Sequence, residues 1–297
     1  MDQHLLVFVT VADKQNFSRA AEALHMTQPA VSQYIQLLER SVGTKLLNRS
    51  NKYVRLNKAG EIVYHHAKEI LGLYTKMQNL VDDLTNKAAG GLSIGASYTF
   101  GEYVLPHIIA RLREKFPLIK PTITIGNTHE IEELVNTNQI DLGIVEGEIK
   151  SKQLPTEEIA DDFMSIMVSA KHPLIKQQDV TLADLQEETW IVREQGSGTR
   201  DATDRMFETF YFNPKDIMEF GSTQIIKESV EAGLGVSLLS HWVIHKELKL
   251  QKLHSLNITG FPIIRKFLLV TPSTKFHTKA AEVFITLLRD QEGYNII

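Results

Sequence analysis

The sequence predicts an α/β body in two lobes, preceded by an all-α head with a β wing and a long linker helix. Three observations predict it. Strand-like and helix-like runs alternate from residue 92 onward. Short helical runs with a sharp break fill residues 2–40. Between them, residues 59–88 carry an apolar residue every three or four positions and no proline.

A chain of 297 residues is long enough for about two domains with real cores. With 43% apolar and 23% charged residues, it reads as a soluble globular protein. It has no cysteine, which excludes a disulfide framework, a thiol nucleophile, a thiolate metal site and a thiol redox sensor. Met-Asp-Gln-His is not a basic signal start, and no run approaches the ~18–20 apolar residues of a membrane span. The expected location is the cytoplasm, with no membrane partner. Net charge is −4, but residues 1–60 hold eight Lys/Arg against four Asp/Glu, a local +4 that leaves −8 for the rest. A basic head on an acidic body points to a polyanion at the head, although charge alone does not separate this from chance clustering.

In the head, Leu5, Phe8, Val9 and Ala12 recur at helical spacing, so residues 2–13 read as a helix. The next stretch is NFSRAAEALHMTQPAVSQYIQLLE (16–39). Ser18 is placed to cap a second short helix, with Ala20 and Leu24 on one face. Met26-Thr27 breaks it. Thr27 is placed to cap a third helix, whose first turn accepts Pro29 because no N–H is needed there. Val31, Ile35 and Leu38 form the buried stripe of this helix, and Gln28, Ser32, Gln33, Gln36 and Arg40 its outer face. Two short helices around a tight turn make a helix-turn-helix. Gln can bond adenine N6 and N7, and Ser can donate or accept, so the outer face suits base edges. KLLNRSNKYVRLN (45–57) reads as a hairpin with Val54 and Leu56 inward. Its Arg49, Lys52 and Arg55 would meet phosphates or the minor groove. A three-helix interaction module without nucleic acid is the plainer alternative.

This segment, followed by LLNR, the wing and LNKAG, resembles the amino-terminal domain of LysR-type transcriptional regulators. Leu47 and Asn57 stand where that family often has Phe and Thr, and Gln33–Arg40 is less basic than in many members. The resemblance and the pattern together give Ser18, Arg19, Thr27, Gln28, Pro29, Ala30, Ser32, Gln33, Arg49 and Arg55 as candidate contacts to double-stranded promoter DNA. RNA polymerase is a further partner such a regulator can meet.

Val63, Ala67, Ile70, Tyr74, Met77, Val81 and Leu84 are spaced 4, 3, 4, 3, 4 and 3. That is a heptad seam on a helix running to about residue 88, and such a seam needs another surface. It can pack on its own body or pair with a second copy. Pairing is favoured because two heads match a two-fold DNA site. The resemblance implies the same, a homo-oligomer (dimer or tetramer) joined through residues 59–89. Adjacent His65 and His66 point about 100° apart on a helix, so joint metal ligation is not expected.

Ala89-Gly90-Gly91 marks a boundary. Beyond it the strands are LSIGAS (92–97), TITIGNT (122–128), DLGIVEG (141–147), FMSIMVSA (163–170), TWIVRE (189–194), IMEF (217–220), VSLLS (236–240) and KFLLVT (266–271). The helices are 102–116, 129–138, 199–210, 224–232 and 277–289. The expected domains are 1–58, a winged helix-turn-helix; 59–89, the linker helix; and 90–297, the body. Its first lobe takes 90–162 and 267–297, and its second takes 163–266. The resemblance extends through the body and implies a two-lobed, periplasmic-binding-protein-like effector domain.

The default ligand site is the cleft between the lobes. Four strand-to-helix turns put hydroxyls, amides or free N–H groups at helix N-termini, which favour anions: Ser97-Tyr98-Thr99, Asn127-Thr128-His129, Gln195–Thr199 and Gly221-Ser222-Thr223. Any one of them alone is most simply a cap, but four converging turns suggest a site. The effector candidates are Ser97, Tyr98, Thr99, Thr128, Glu146, Gly196, Ser197, Gly198, Thr199, Ser222 and Thr223, with Arg193 and Arg200 as further charged contacts. ASYTFGEYVLP, DLGIVEG and REQGSGTR look most like a CysL-like subgroup of regulators of sulfur and cysteine metabolism, with regulators of carbon dioxide fixation as near relatives. The subgroup implies a small anionic effector.

Catalysis is not expected, nor a cofactor or metal. EQGSGTR (194–200) lacks the lysine of a nucleotide P-loop and the third glycine of a dinucleotide fingerprint. HEIEE (129–133) is not HExxH, and His241 and His245 lack the Glu of that motif and read as surface residues. The remaining alternative is the solute-binding component of a transport system.

Overall fold

The computed structural model describes residues 3–49, 53–83, 89–274 and 277–290. They form two compact units, the N-terminal segment through the long helix and the α/β body, each described by itself below.

The N-terminal unit runs α1 (Gln3–Lys14), α2 (Phe17–Ala23), α3 (Gln28–Val42), β1 (Leu47–Arg49), β2 (Val54–Leu56) and α4 (Lys58–Asp83). Asn16, not Ser18, caps α2. Its backbone is extended and its side chain accepts from Arg19 N at 3.0 Å, which leaves Ser18 inside the first turn. Thr27 caps α3 with Pro29 in the first turn, and Gly43, at φ +82°, ends it in the left-handed conformation glycine tolerates. Val7, Phe8, Val11, Ala20, Ala21, Val31, Ile35 and Leu38 form one core with Leu46 and Leu47. Buried Glu39 bonds Lys45 Nζ (2.8 Å) and Leu46 N (3.0 Å), tying the end of α3 to the start of the wing. β1 and β2 pair antiparallel, Leu47 opposite Leu56.

The seam of α4 divides. Val63 packs on the head core and Ala67 is buried, but Ile70, Met77 and Val81 are 51%, 51% and 57% exposed. Ile62 and Leu73 add to this uncovered apolar surface. Leu84, the last expected seam position, lies outside the described residues.

The body begins with β3 (Gly90–Ser97), α5 (Tyr98–Tyr103), α6 (Leu105–Lys115), β4 (Ile119–Gly126), α7 (Thr128–Asn136) and β5 (Leu142–Glu146). The single helix expected at 102–116 is two. Val104 (φ −109°, ψ −51°) is a one-residue turn between them, and Pro106, which lacks an N–H, sits in the first turn of α6. A 14-residue strand, β6 (Thr156–Ser169), follows. Two 3-10 turns (Pro173–Lys176 and Leu182–Leu185) lead to β7 (Thr189–Arg193), α8 (Gly198–Thr209), β8 (Asp216–Phe220), α9 (Thr223–Glu231), β9 (Ser237–Ser240), α10 (His241–Lys249) and β10 (Leu253–Ser255). The described body ends with β11 (Ile263–Val270) and α11 (Lys279–Arg289).

β3 pairs in parallel with β4 and β5, and β7 with β8, as the βα alternation requires. β6 and β11 are the long antiparallel strands that pass between the lobes. The first part of β6 pairs with β11, and its last part with β9 and β10. Each lobe keeps its own core: Leu92, Ile94, Ile108, Ile144 and Phe284 in one, Ile166, Trp190, Val192, Val236 and Leu238 in the other. Where β6 crosses, its inward-facing series includes Asp162 ahead of Met164, Ile166 and Val168. The inward face of β11 carries Arg265 ahead of Phe267 and Leu269. Two opposite charges therefore sit at register-paired positions, Arg265 opposite Asp162, where the chain passes between lobes.

Candidate functional site

The four expected turns end β3, β4, β7 and β8, and the structure brings most of them together around Glu146, at the end of β5. Thr128 is the bridge. Its Oγ1 donates to Glu146 O (2.7 Å) and accepts from Gly198 N (3.2 Å) in the other lobe. Beside it, His129 N donates to Gly196 O (3.1 Å) and Asn127 Nδ2 to Glu194 Oε1 (3.3 Å). Gly196 has φ +88°. A Cβ on Gly198 would lie 1.9 Å from Glu146 O, so only glycine lets α8 approach β5 this closely. Ser197 caps α8, accepting from Thr199 N at 3.3 Å.

Beneath these turns lies Arg265, which the sequence reading missed. Its Nε donates to Asp162 Oδ2 (2.6 Å), Nη1 to Thr199 Oγ1 (3.0 Å) and Nη2 to Thr99 Oγ1 (3.1 Å). Ser240 Oγ completes the cluster, donating to Asp162 Oδ1 at 2.6 Å. A signal was available. In IIRKFLLV, period-two alternation puts Arg265 on the same face as Phe267 and Leu269, an inward position for a charge. Glu146 Oε1 is 3.6 Å from Arg265 Nη2, and Oε2 is buried without a hydrogen-bond partner. Burial pushes the Glu146 carboxyl above the ordinary range, and Arg265 and the Thr99 hydroxyl pull against it.

A second flank carries the remaining candidates. The Arg193 guanidinium lies 4.5 Å from the centre of the Tyr98 ring, donates to Thr223 Oγ1 (2.9 Å) and grips Glu194 with two bonds of 2.7 Å. Ser97 Oγ donates to Ile144 O at 3.4 Å, and Ser222 caps α9 through Ile225 N. Ser97, Thr99, Thr128, Ser197, Thr199 and Thr223 are all buried. Their hydroxyls already bond protein groups, where the sequence reading expected them open toward a ligand.

Other expectations shift. Arg200 bonds Asp204, Glu219 and Arg193 O, tying α8 to β7 and β8. His241 is half-buried, its Nε2 2.8 Å from Ser165 Oγ, because it opens α10 against β6. Burial depresses its pKa, and Asp162 opposes that. His65 and His66 do converge, through Glu69 (3.7 and 2.8 Å), with ligand atoms within 4.8 Å of one another on an exposed surface.

In the head, Ser18, Arg19, Thr27, Gln28, Pro29 and Gln33 are exposed, and Ala30 and Ser32 are half-buried. Gln28 Nε2 donates to Ser32 Oγ at 3.0 Å, pairing two candidate base readers one helical turn apart. Arg55 is exposed on the wing, its guanidinium 5.3 Å from the centre of the Tyr53 ring. Arg49 lies in β1, but its side chain is outside the described residues, as is Lys52.

No described helix is long and apolar enough to cross a membrane. Residues 3–61 match the family described as bacterial regulatory helix-turn-helix protein, lysR family, and residues 85–293 match the LysR substrate binding domain. The chain is 36% identical to the transcriptional regulator CysL of Bacillus subtilis over 285 residues, 96% of this chain and 95% of that protein. It is 31% identical to the RuBisCO operon transcriptional regulator of Allochromatium vinosum, covering 95% and 93% of the two chains. Among solved structures, the regulatory domain of CcmR from Synechocystis PCC6803, in complex with 2-PG, matches with a TM-score of 0.64 and 26% identity over 70% of this chain and 99% of that one. These relatives are regulators, not enzymes, and the matched head gives the transport alternative no support. An exposed helix-turn-helix face, a wing and a two-lobed α/β body, matched by both family models, place this chain in the LysR family of transcriptional regulators.

Proposed function

We propose that this regulator binds a two-fold promoter site as an oligomer paired through α4, and that a small anion between the lobes resets its geometry. The observation that carries the reading is the Thr128 bridge between Glu146 O and Gly198 N, with Arg265 joining Thr99 and Thr199 below it. These bonds are made between the lobes, so a ligand that enters must replace them. A ligand that favours one lobe arrangement over another shifts the population by its differential affinity. The candidate effector contacts are Ser97, Tyr98, Thr99, Thr128, Glu146, Gly196, Ser197, Gly198, Thr199, Ser222 and Thr223. The N-terminus of α8 supplies N–H groups that suit an anion. The 2-PG complex of the CcmR domain is consistent with a small ligand in a body of this kind.

The regulon proposed is sulfur assimilation. CysL, at 36% identity, supports it over carbon dioxide fixation, where the A. vinosum regulator stands at 31%. Fluorescence anisotropy against DNA upstream of the protein's own gene and of sulfur-assimilation genes tests the reading. Tighter binding there than to random DNA at physiological salt is expected, with a shift on adding small sulfur-containing anions. Equal affinity for random DNA would overturn it, and an affinity shift only with phosphorylated sugars would move the regulon elsewhere.

A further inference from the structure

The carboxyl of Glu146 has a role that anion binding alone does not explain. It sits against the N-terminus of α8, its Cγ 3.0 Å from where a Gly198 Cβ would stand, and Oε2 is buried with no hydrogen-bond partner. An orphaned buried carboxyl oxygen is costly unless something uses it. The charges facing it come from several elements. Arg265 on β11 lies 3.6 Å from Oε1, with Asp162 on β6 and Arg193 on β7 acting at longer range. Asp201 on α8 stands beside Gly147, the next residue, and Thr128 on α7 meets the Glu146 carbonyl. Two guanidiniums, Arg265 and Arg193, are matched by two carboxylates, Asp162 and Glu194. With Glu146 neutral, those four charges sum to zero and set no net negative charge against an anion. With Glu146 ionised, an arriving anion would meet a like charge in a dry site, where two such groups do not both stay ionised.

Resting on the reading of the cleft as an anion site, we propose that effector capture takes up a proton at Glu146, whose Oε2–H then donates to the bound anion. The proton comes from solvent, and no other bond is made or broken. Burial, which already favours the neutral carboxyl, works in the same direction. Anion affinity then falls as pH rises through the range in which Glu146 ionises, up to about tenfold per pH unit. The same protein would hold its effector less firmly in a more alkaline cell.

Isothermal titration of the full chain with inorganic sulfate, whose charge is constant over roughly pH 5.5 to 8.5, tests this. Wild type should lose affinity with rising pH and absorb close to one proton per sulfate, counted by comparing buffers of different ionisation enthalpy. Glu146→Gln should bind with pH-independent affinity, and more tightly than wild type at the alkaline end. A slope that survives in Glu146→Gln would assign it to another group, such as His241 beside Asp162, and overturn the proposal. So would pH-independent binding by wild type, or no proton uptake. If the variant does not fold, the proton count on wild type decides alone. Failure of sulfate to bind either protein at any pH would instead remove the anion-site reading beneath it.

Discussion

Arg265 and Asp162 are register partners across β11 and β6, joined Nε to Oδ2 at 2.6 Å, and both are buried where the chain crosses between lobes. Both also bond hydroxyls: the arginine those of Thr99 and Thr199, the aspartate that of Ser240. Removing one partner strands a buried charge, which costs about 3–5 kcal/mol, far more than a surface pair. Asp162→Ala should therefore lower the urea midpoint of the body markedly. The double variant Asp162→Leu/Arg265→Met should recover part of the loss, because the unpaired charge is gone. Equal losses in the single and double variants would show that packing, not charge, sets the cost.

Gly198 makes a close contact between lobes. Its neighbour is the Glu146 backbone carbonyl, which cannot swing aside as a side chain would. Gly198→Ala must push α8 off β5, at roughly 1–3 kcal/mol, and break the Thr128 bridge. Hydrogen exchange at Thr128 and Gly198 should accelerate while the head still binds DNA. Gly221→Ala, with nothing within 4 Å of its Cβ, serves as the control and should change neither.

The head was the legible part of the sequence because its signals are local. A cap, an N-terminal proline and a three-residue apolar stripe fix α3 within 15 residues. The one slip there, Ser18 for Asn16 as the α2 cap, is a choice between two good capping residues two positions apart. The turns of the cleft were legible for the same reason. What holds them together was not. Arg265 bonds Thr99 across 166 positions and Asp162 across 103, separations that no periodicity within one segment reports. Nor did the sequence show that the turn hydroxyls would be spent on each other, since a cap and a ligand contact use the same residue types.

The Gln28–Ser32 bond makes a sharp prediction about DNA. Gln28→Ala and Ser32→Ala each remove a proposed base reader, and Gln28→Ala also frees the Ser32 hydroxyl. Each should cost specific binding about 1–3 kcal/mol, on the order of five- to a hundredfold, with random-sequence binding unchanged. Arg55→Ala should behave differently. It should weaken every sequence alike and reduce the salt slope by about one, as loss of a phosphate contact does. Anisotropy titrations at several salt concentrations separate the two patterns. A uniform loss for Gln28→Ala would remove it from base recognition.

On α4, the uncovered residues Ile70, Leu73, Met77 and Val81 stand apart from the head core. Ile70→Glu with Met77→Glu puts two charges on the proposed pairing surface without touching that core. Sedimentation velocity should show smaller particles, and DNA affinity should fall with the loss of paired heads. Far-UV circular dichroism should be unchanged. An unaltered oligomer would place the assembly surface elsewhere.

Glu146 also makes stability depend on pH. Its folded pKa is raised above the ordinary 4.5 by burial, against the pull of Arg265. As pH rises past 4.5, the unfolded chain releases this proton first, and the folded state keeps it until its higher pKa is reached. Folding stability from this group is therefore full below 4.5 and falls through that window, the reverse of an ion-paired carboxylate. Glu146→Gln cannot ionise, so it should gain on wild type as pH rises, by about 1.4 kcal/mol for each unit the pKa is displaced. Thermal midpoints of the two proteins across the acid-to-neutral range give the comparison. Parallel curves would mean that Glu146 titrates alike in the folded and unfolded chain, the pull of Arg265 cancelling the effect of burial, and would overturn this prediction.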